Sequence, residues 1–359
     1  MDSSTVPMAA AAPPAAERLH PLRELTLTRM REFLREPEAV FWVFAFPVIM
    51  TCALGVAFRS RADDPVIVGV ERGTAASAVA AALERTGGFV IREVEPATVD
   101  RALRDGQVQV VVVPGDPPTY RFDPARAESQ VARLTVDAAL QRAAGRGDVF
   151  TAREDAVRAV GSRYIDWLVP GLLGMNIMGT GMWSTSFAIV TARTRKLLKR
   201  LVATPMPRSQ YLLALLLSRL AFLVAEVVVL VAFAWIVFGV AVHGRLATLA
   251  LVCLLGAFAF GGVALLTASR ARTIEGVSGL LNLVMVPMWV FSGVFFASSN
   301  FPDVVQPFVQ ALPLTALNDA LRAVMNDGDG LAAIWHELAI LTAWGGISFV
   351  AALRLFRWS

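Results

Sequence analysis

Residues 211–241 read YLLALLLSRLAFLVAEVVVLVAFAWIVFGVA, an apolar run whose only charged residues are Arg219 and Glu226. At ~1.5 Å per residue, a helix of this length is longer than the ~30 Å hydrocarbon core of a bilayer. Further apolar segments lie at 38–58, 165–190, 246–269, 275–297 and 331–353. The sequence therefore predicts a mainly α-helical polytopic membrane protein with six transmembrane helices.

The overall composition agrees with this class. Of 359 residues, 56% are hydrophobic and 17% are charged, and the mean hydropathy is +0.58. A soluble domain carries about 25% charged residues. The net charge of +4 comes mainly from short basic segments beside apolar runs, where Lys and Arg set membrane orientation. We therefore expect no nucleic-acid partner.

The distribution of Lys and Arg predicts the orientation. Five arginines precede the first span, and residues 191–209 contain six basic residues and no acid. The connections at 242–245 and 299–330 contain one arginine each. Because basic connections stay in the cytoplasm, both termini are expected there, in a bacterial-type inner membrane.

The connection at 59–163 is then extracytoplasmic. It contains the β-branched runs PVIVGVE, FVIREVE and VQVVVVPGD, separated by helical patterns at 74–87 and 97–106. A further helix is predicted over 127–145. This alternation predicts a small inserted α/β domain. It has no cysteine and no cluster of His, Asp and Glu, so we assign it no chemistry and no metal site.

The amino-terminal region divides into two parts. Residues 1–20 are rich in Ala and Pro and are expected to be a disordered lead. Residues 21–36, PLRELTLTRMREFLRE, place apolar residues on one helical face and arginines on the other. This pattern favours an interfacial helix whose arginines contact anionic lipid, although an ordinary solvated helix would show it too.

The cytoplasmic segment at 191–209 combines an apolar stripe with basic residues. The stripe is Leu197, Leu198, Leu201 and Val202, and the basic residues around it are Arg193, Lys196, Lys199 and Arg200. A positive-inside anchor would explain the charges. It would not explain an apolar stripe on a cytoplasmic connection, which favours docking into a groove of a partner protein.

Two stretches resemble a known family. YIDWLVPGLLGMNIMGTGMW, followed by RKLLKRLVATPMPRSQYLLALLLSRL, resembles the second span and coupling segment of ABC-2 type transporter permeases. ALPLTALNDALRAVMNDG resembles the signature that precedes the last span in that family. Its matching residues are Leu312, Pro313, Leu314, Thr315, Asp319, Leu321 and Arg322. The order of elements agrees from about residue 20 onward.

The resemblance implies a permease formed by two six-span halves and driven by two cytoplasmic ABC ATPase subunits. Residues 191–205 would dock on the ATPase as the coupling helix. The sequence contains no GxxxxGK[ST] loop, so ATP and Mg²⁺ are expected on the partner and no cofactor on this chain. Catalytic residues are therefore not assigned. The substrate would be a drug, antibiotic, lipid or glycan that moves outward.

Several polar residues lie inside the predicted spans. Glu226 would be costly in lipid, so it should pair, with Arg219 as the nearest candidate, or line a substrate path. Asn176 and Asn282 are candidates for interhelical hydrogen bonds or substrate contacts. Gly171, Gly174, Gly179 and Gly181 permit close packing within one subunit, at a dimer seam or along a substrate path.

The connection at 299–330 is too apolar for a solvated loop and too short to span. Two short helices that dip into the outer leaflet are expected there. Asp319 and Arg322, spaced i,i+3, can form an ion pair on one helix face.

Other classes fit the sequence less well. A secondary transporter would favour several buried acids and internal repeats, which the sequence lacks. An ATPase-coupled signal transmitter that moves no substrate remains an alternative. An intramembrane enzyme is disfavoured because His20, His243 and His336 lie far apart with no nucleophile or metal spacing.

Overall fold

A computed structural model describes residues 23, 26–28, 30–58, 65–147, 161, 163–194, 208–271 and 273–355, with only the backbone over 208–216. The predicted disordered lead at 1–20 lies outside these residues. The chain divides into two compact units, Ser60–Val157 and the remainder. Each unit has its own hydrophobic core, and the two are described separately.

The first long helix, α1, covers Pro37–Ala57. It contains a π-helical turn over Phe41–Ala45, in which the Phe46 N–H bonds to the Phe41 carbonyl. Pro47, one residue later, has no N–H, so the regular ladder is interrupted at this point. Before α1, the described part of the predicted amphipathic segment is helical, and the Phe33 ring lies 4.3 Å from the ring of Phe222.

The α/β unit is a four-stranded sheet with helices on both faces. Its strands are β1 (Val66–Glu71), β2 (Phe89–Val94), β3 (Val110–Val113) and β4 (Thr119–Phe122), in the order β2-β1-β3-β4. The first three are parallel, and β4 is antiparallel to β3. The helices are α2 (Ala76–Thr86), α3 (Val99–Arg104) and α4 (Ala127–Ala143).

The two faces of this sheet pack differently. Val68, Val110 and Val112 face α2 and α4 and pack with Leu83 and Val136, all fully buried. Val94 and Val111 pack with α3 on the other face. The sequence pattern did not predict β4. Its four residues alternate between exposed and half-buried, as expected of an edge strand.

The remaining helices form the membrane unit. They are α5 (Tyr164–Thr194), α6 (Arg208–Phe238), α7 (Leu246–Arg270), α8 (Ile274–Phe291), α9 (Gln306–Ala311), α10 (Pro313–Arg322) and α11 (Trp335–Leu355). α5 is central, because it packs against α1, α6, α7, α8 and α10. α7 and α11 pack closely where a Cβ on Gly262 would lie 2.8 Å from the Gly345 carbonyl oxygen.

Among the described residues, five helices are long and apolar enough to cross a membrane: Pro37–Ala57, Leu217–Phe238, Leu246–Arg270, Ile274–Phe291 and Trp335–Leu355. The chain is therefore a mainly helical, multi-pass membrane protein. α5, which the sequence predicts as the second of six spans, is not among them because Gly, Asn, Thr and Ser lower its hydropathy. Other helices cover much of α5, so it needs little apolar surface toward lipid.

Some helices end at different residues from those expected. α8 ends at Phe291 rather than 297, because the chain turns at Gly293, where φ is +70°. α6 likewise ends at Phe238, before Gly239 with φ of +66°. α11 begins at Trp335 rather than 331. Hydropathy alone did not show these ends, because the apolar composition continues past each turn.

Candidate functional site

The predicted coupling segment is described only at its start. Arg193, in the last turn of α5, donates from Nη1 to the carbonyl oxygen of Ala271 at 2.9 Å. Ala271 directly follows the carboxyl end of α7, where free carbonyls attract a cation. Arg193 thus ties the carboxyl ends of α5 and α7 together. Lys196, Leu197, Leu198, Lys199, Arg200, Leu201 and Val202 lie outside the described residues.

An ion pair within α6 contacts a threonine of α5. Arg219 Nη1 lies 3.2 Å from Glu226 Oε1, and Arg219 Nη2 donates to Thr180 Oγ1 at 2.9 Å. Thr180 Oγ1 also lies 2.9 Å from Glu226 Oε2. The Glu226 side chain is 1% exposed and that of Arg219 is 19% exposed. We call Thr180, Arg219 and Glu226 the α5–α6 cluster.

The geometry of the α5–α6 cluster favours pairing over substrate contact. Each charge faces an opposite charge, and the threonine hydroxyl bridges the two side chains. Such a pair balances charge inside an apolar bundle, where an uncompensated charge would be costly. Sequence spacing indicated the partnership of Arg219 and Glu226. It gave no indication of Thr180, which comes from a different helix.

The two asparagines predicted within spans have different surroundings. Asn176 on α5 donates from Nδ2 to the carbonyl oxygen of Val43 in α1 at 3.1 Å. Asn282 lies on an exposed face of α8 and makes no hydrogen bond within the described residues. One amide therefore joins helices within the subunit, and the other points outward from it.

The signature helix α10 is anchored by Arg322. Its guanidinium donates from Nη2 to the Gly293 carbonyl and from Nη1 to Asp319 Oδ1 at 3.2 Å, so the predicted ion pair is present. The guanidinium carbon lies 3.4 Å from the centre of the Trp167 ring, a cation–π arrangement. The Arg322 side chain is 7% exposed, whereas that of Asp319 is 44% exposed.

Two glycines of α5 allow α10 and the turn after α8 to approach this helix closely. A Cβ on Gly174 would overlap Asn318 Oδ1, and one on Gly171 would lie 2.6 Å from the Val294 carbonyl oxygen. Asn318 in turn donates to the Ser292 carbonyl at 2.9 Å, at the end of α8. The other signature residues, Leu312, Pro313, Leu314, Thr315 and Leu321, are buried. We call the contacts of Arg322 and Asn318 with α5 and the 292–294 turn the α10 seat.

The π-helical turn over Ala323–Asp327 extends this seat. Asn326 donates from Nδ2 to the Asp166 carbonyl at 3.0 Å. Arg163 forms an ion pair with Asp166 at 2.7 Å and donates to the Phe238 carbonyl at 3.0 Å. The i,i+3 spacing of Arg163 and Asp166 was the available sequence signal for this pair. The described ranges contain no group of His, Cys, Asp and Glu that could hold a metal ion.

These observations define a polytopic membrane protein whose central helix is joined to its neighbours by buried polar contacts. The profile of the ABC-2 type transporter family matches residues 134–326, more than half of the chain. The chain belongs to this family, which confirms the resemblance seen in the sequence. The match includes α5, the predicted coupling segment and α10.

Curated relatives agree with the family assignment. The chain is 26% identical over 183 residues to the inner membrane transport permease YhhJ of Escherichia coli, a match that covers 51% of this chain and 49% of the relative. It is 28% identical over 199 residues to ABC transporter G family member 20 of Dictyostelium discoideum, covering 54% and 27%. Nodulation protein J of Bradyrhizobium diazoefficiens is 32% identical over 98 residues, covering 27% and 37%. The chain thus spans about half the length of YhhJ.

Proposed function

We propose that the chain is the permease subunit of an ATP-driven ABC exporter. It would move a hydrophobic or amphipathic substrate, such as a drug, antibiotic, lipid or glycan, outward across the membrane. The family match over 134–326 carries this proposal, because it includes the predicted coupling segment and the signature helix α10. The name of YhhJ, an inner membrane transport permease, supports transport as the activity.

ATP hydrolysis belongs to a separate ABC ATPase subunit, which binds the ATP and Mg²⁺. The stripe of Leu197, Leu198, Leu201 and Val202 would fill an apolar groove on that subunit, with the surrounding cations at its rim. Arg193 connects this segment to the end of α7. Movement of the segment would therefore act on α5 and α7 together.

The functional unit contains two permease copies. The exposed face of α8 presents Leu283, Val286 and Val290 together with Asn282. An amide that faces hydrocarbon loses its hydrogen bonds to water, at a cost of several kcal/mol. We infer that Asn282 faces the second copy or a water-filled substrate path between the two copies. The remaining exposed apolar surface contacts lipid.

The α/β unit is extracytoplasmic, both termini lie in the cytoplasm, and α5 also crosses the membrane, as the second of six spans. Single cysteines test this orientation after Cys52 and Cys253 are changed to serine. A cysteine at Glu128, which is exposed in α4, should react with an impermeant thiol reagent added outside. A cysteine at Ser209 should be shielded. The opposite labelling pattern would reject the orientation.

Copurification tests the assignment to an ABC exporter. The tagged chain should capture an ABC ATPase from its native membranes. Leu201→Asp should lose that capture, because a charge would enter a desolvated groove. Ser209→Asp, outside the stripe, is the matched control and should retain it. Undiminished capture by Leu201→Asp would reject the stripe as the contact, and absence of an ATPase with the unmodified chain would reject the function.

A further inference from the structure

Three long helices of the membrane unit contain an internal proline: Pro47 in α1, Pro170 in α5 and Pro287 in α8. Proline has no backbone N–H, so the carbonyl four residues earlier loses its regular helical donor. In a membrane, a neighbouring helix or side chain must then satisfy that carbonyl. The carbonyls affected are those of Val43, Asp166 and Leu283.

Two of these carbonyls receive an asparagine amide. Asn176 Nδ2 donates to Val43 O at 3.1 Å, although it belongs to α5 and the carbonyl belongs to α1. Asn326 Nδ2 donates to Asp166 O at 3.0 Å, from the turn that follows α10. Each amide therefore reaches the carbonyl that lies four residues before a proline. In both cases the donor lies more than 130 residues away in sequence.

The third carbonyl provides a contrast within the same unit. Leu283 lies on the exposed face of α8, and no side chain in the described ranges donates to its carbonyl. The neighbouring Asn282 is also exposed, and its amide donates to no carbonyl within the described ranges. The pairing of a proline with an amide is thus specific to the two positions where helices pack inside the subunit.

We propose that Asn176 and Asn326 are positioning residues that complete the helical ladders interrupted by Pro47 and Pro170. Each amide replaces a missing N–H and so sets the angle of the helix at its proline. The bond to Val43 fixes the direction of α1 beside α5, and the bond to Asp166 holds the first turn of α5 against the turn that follows α10. This inference concerns helix geometry and does not depend on the transported substrate.

We call the contact of Asn176 with the Val43 carbonyl the first joint and that of Asn326 with the Asp166 carbonyl the second joint. The first joint lies next to the α5–α6 cluster. The carbonyl of Asn176 lies 2.8 Å from Thr180 Oγ1, and Thr180 contacts both Arg219 and Glu226. A polar path therefore runs from α1 through α5 to α6. The contact of α1 with α5 at Asn176 therefore lies one helical turn from the contact of α5 with α6 at Thr180.

A double-mutant cycle tests the first joint. Asn176→Leu keeps the side-chain size but removes the donor, and should lower the melting temperature of the detergent-purified chain. Pro47→Ala restores an N–H that can serve Val43 O, so the Asn176→Leu loss should fall to less than half in that background. Equal losses in both backgrounds would overturn the proposal. Asn282→Leu is the matched control and should show no coupling to Pro47→Ala.

A distance measurement separates helix positioning from general stability. Spin labels at Glu38 and Val56, both exposed, report the end-to-end distance of α1 once Cys52 and Cys253 are serine. Asn176→Leu should broaden this distance distribution, and addition of Pro47→Ala should narrow it again. An unchanged distribution in Asn176→Leu would contradict the positioning role.

The second joint, between Asn326 and the Asp166 carbonyl, provides an independent test if Asn176→Leu does not fold. Asn326→Ala should lower the melting temperature, and Pro170→Ala should suppress that loss in the same manner. Additive losses at this joint would show that Asn326 only packs against α5, and the proposal would fail there.

Discussion

The α10 seat and the α5–α6 cluster each bury an arginine, but they satisfy it in different ways. In the α10 seat, Arg322 bonds to a backbone carbonyl and stacks on a tryptophan ring, while its acid, Asp319, is partly exposed. In the α5–α6 cluster, Arg219 depends on Glu226, which is almost fully buried. The first arginine is held mainly by neutral groups and the second by an opposite charge.

This difference indicates which residue each region can lose. Removal of Asp319 leaves Arg322 with the carbonyl and the ring, and water can reach the vacated position. Removal of Glu226 leaves the Arg219 cation next to an apolar bundle with only a hydroxyl as acceptor. Buried ion pairs are costly to break for this reason, even where they add little net stability.

The largest effect is expected from Glu226→Gln. Loss of the acid leaves the Arg219 charge uncompensated and should cost about 3–5 kcal/mol of stability. Measurement of the melting temperature and of the monodisperse yield in detergent would show it. Glu226→Asp should recover part of the loss, and Glu275→Gln, an exposed acid at the start of α8, should have little effect. If Glu226→Gln melted at the wild-type temperature, Arg219 would not depend on Glu226, and the contrast with Arg322 would be wrong.

A smaller loss of stability is expected when a methyl group is added between α5 and the contacts of the α10 seat. In Gly171→Ala, the new Cβ would approach a backbone carbonyl at 2.6 Å, so α10 and the 292–294 turn must shift. Overpacking of this kind costs about 1–3 kcal/mol. Gly179→Ala on the same helix is the control, since its Cβ would meet only Met285 Cε at 3.9 Å. Equal melting temperatures for the two alanine variants would contradict the α10 seat.

Asp319→Asn should have a still smaller effect. The Asp319 side chain is 44% exposed, and Arg322 keeps its carbonyl partners and Trp167, so the loss of stability should be about 1 kcal/mol. Arg322→Gln should be clearly more destabilising, because the Gly293 and Trp167 carbonyls both lose their donor. Thermal melts of the two variants, side by side, test this order. A larger loss for Asp319→Asn would mean that Arg322, like Arg219, depends on its acid.

The least perturbing test concerns a polar pair in the α/β unit. Burial, together with the hydrogen bond to Asp137, raises the pKa of Tyr120 to about 12. Because the folded pKa is raised, this contribution to stability is complete below pH ~10 and is lost as the pH rises toward that value. Tyrosinate absorbance can be measured after a rapid pH jump in the wild type and in Tyr120→Phe. The difference between the two titration curves reports Tyr120 alone and should have its midpoint near pH 12. A difference titration near pH ~10 would show that Tyr120 is solvated.

The sequence predicted the parts of this protein that depend on local pattern. Apolar runs predicted the long helices because bilayer thickness sets their length, and the i,i+3 spacing predicted the pair of Asp319 and Arg322. Glu226 pointed to Arg219 because an isolated acid is costly in a span.

Contacts between distant segments were not predictable in this way. The three prolines indicate which carbonyls lack a donor, but nothing local shows that Asn176 or Asn326 supplies it. The same holds for Trp167 beneath Arg322 and for Thr180 between the charges of the α5–α6 cluster. The ends of α6 and α8 were misplaced because glycines in the left-handed region, not hydropathy, end them.

ATP hydrolysis in proteoliposomes tests the central proposal most directly. The purified chain alone should hydrolyse no ATP above the rate of empty vesicles. Addition of the copurifying ABC ATPase should give a rate well above that of the ATPase without the chain, and Leu201→Asp should return the rate to that of the ATPase alone. Hydrolysis by the chain alone, or an ATPase rate that the chain does not change, would contradict its role as a permease driven by a separate ATPase.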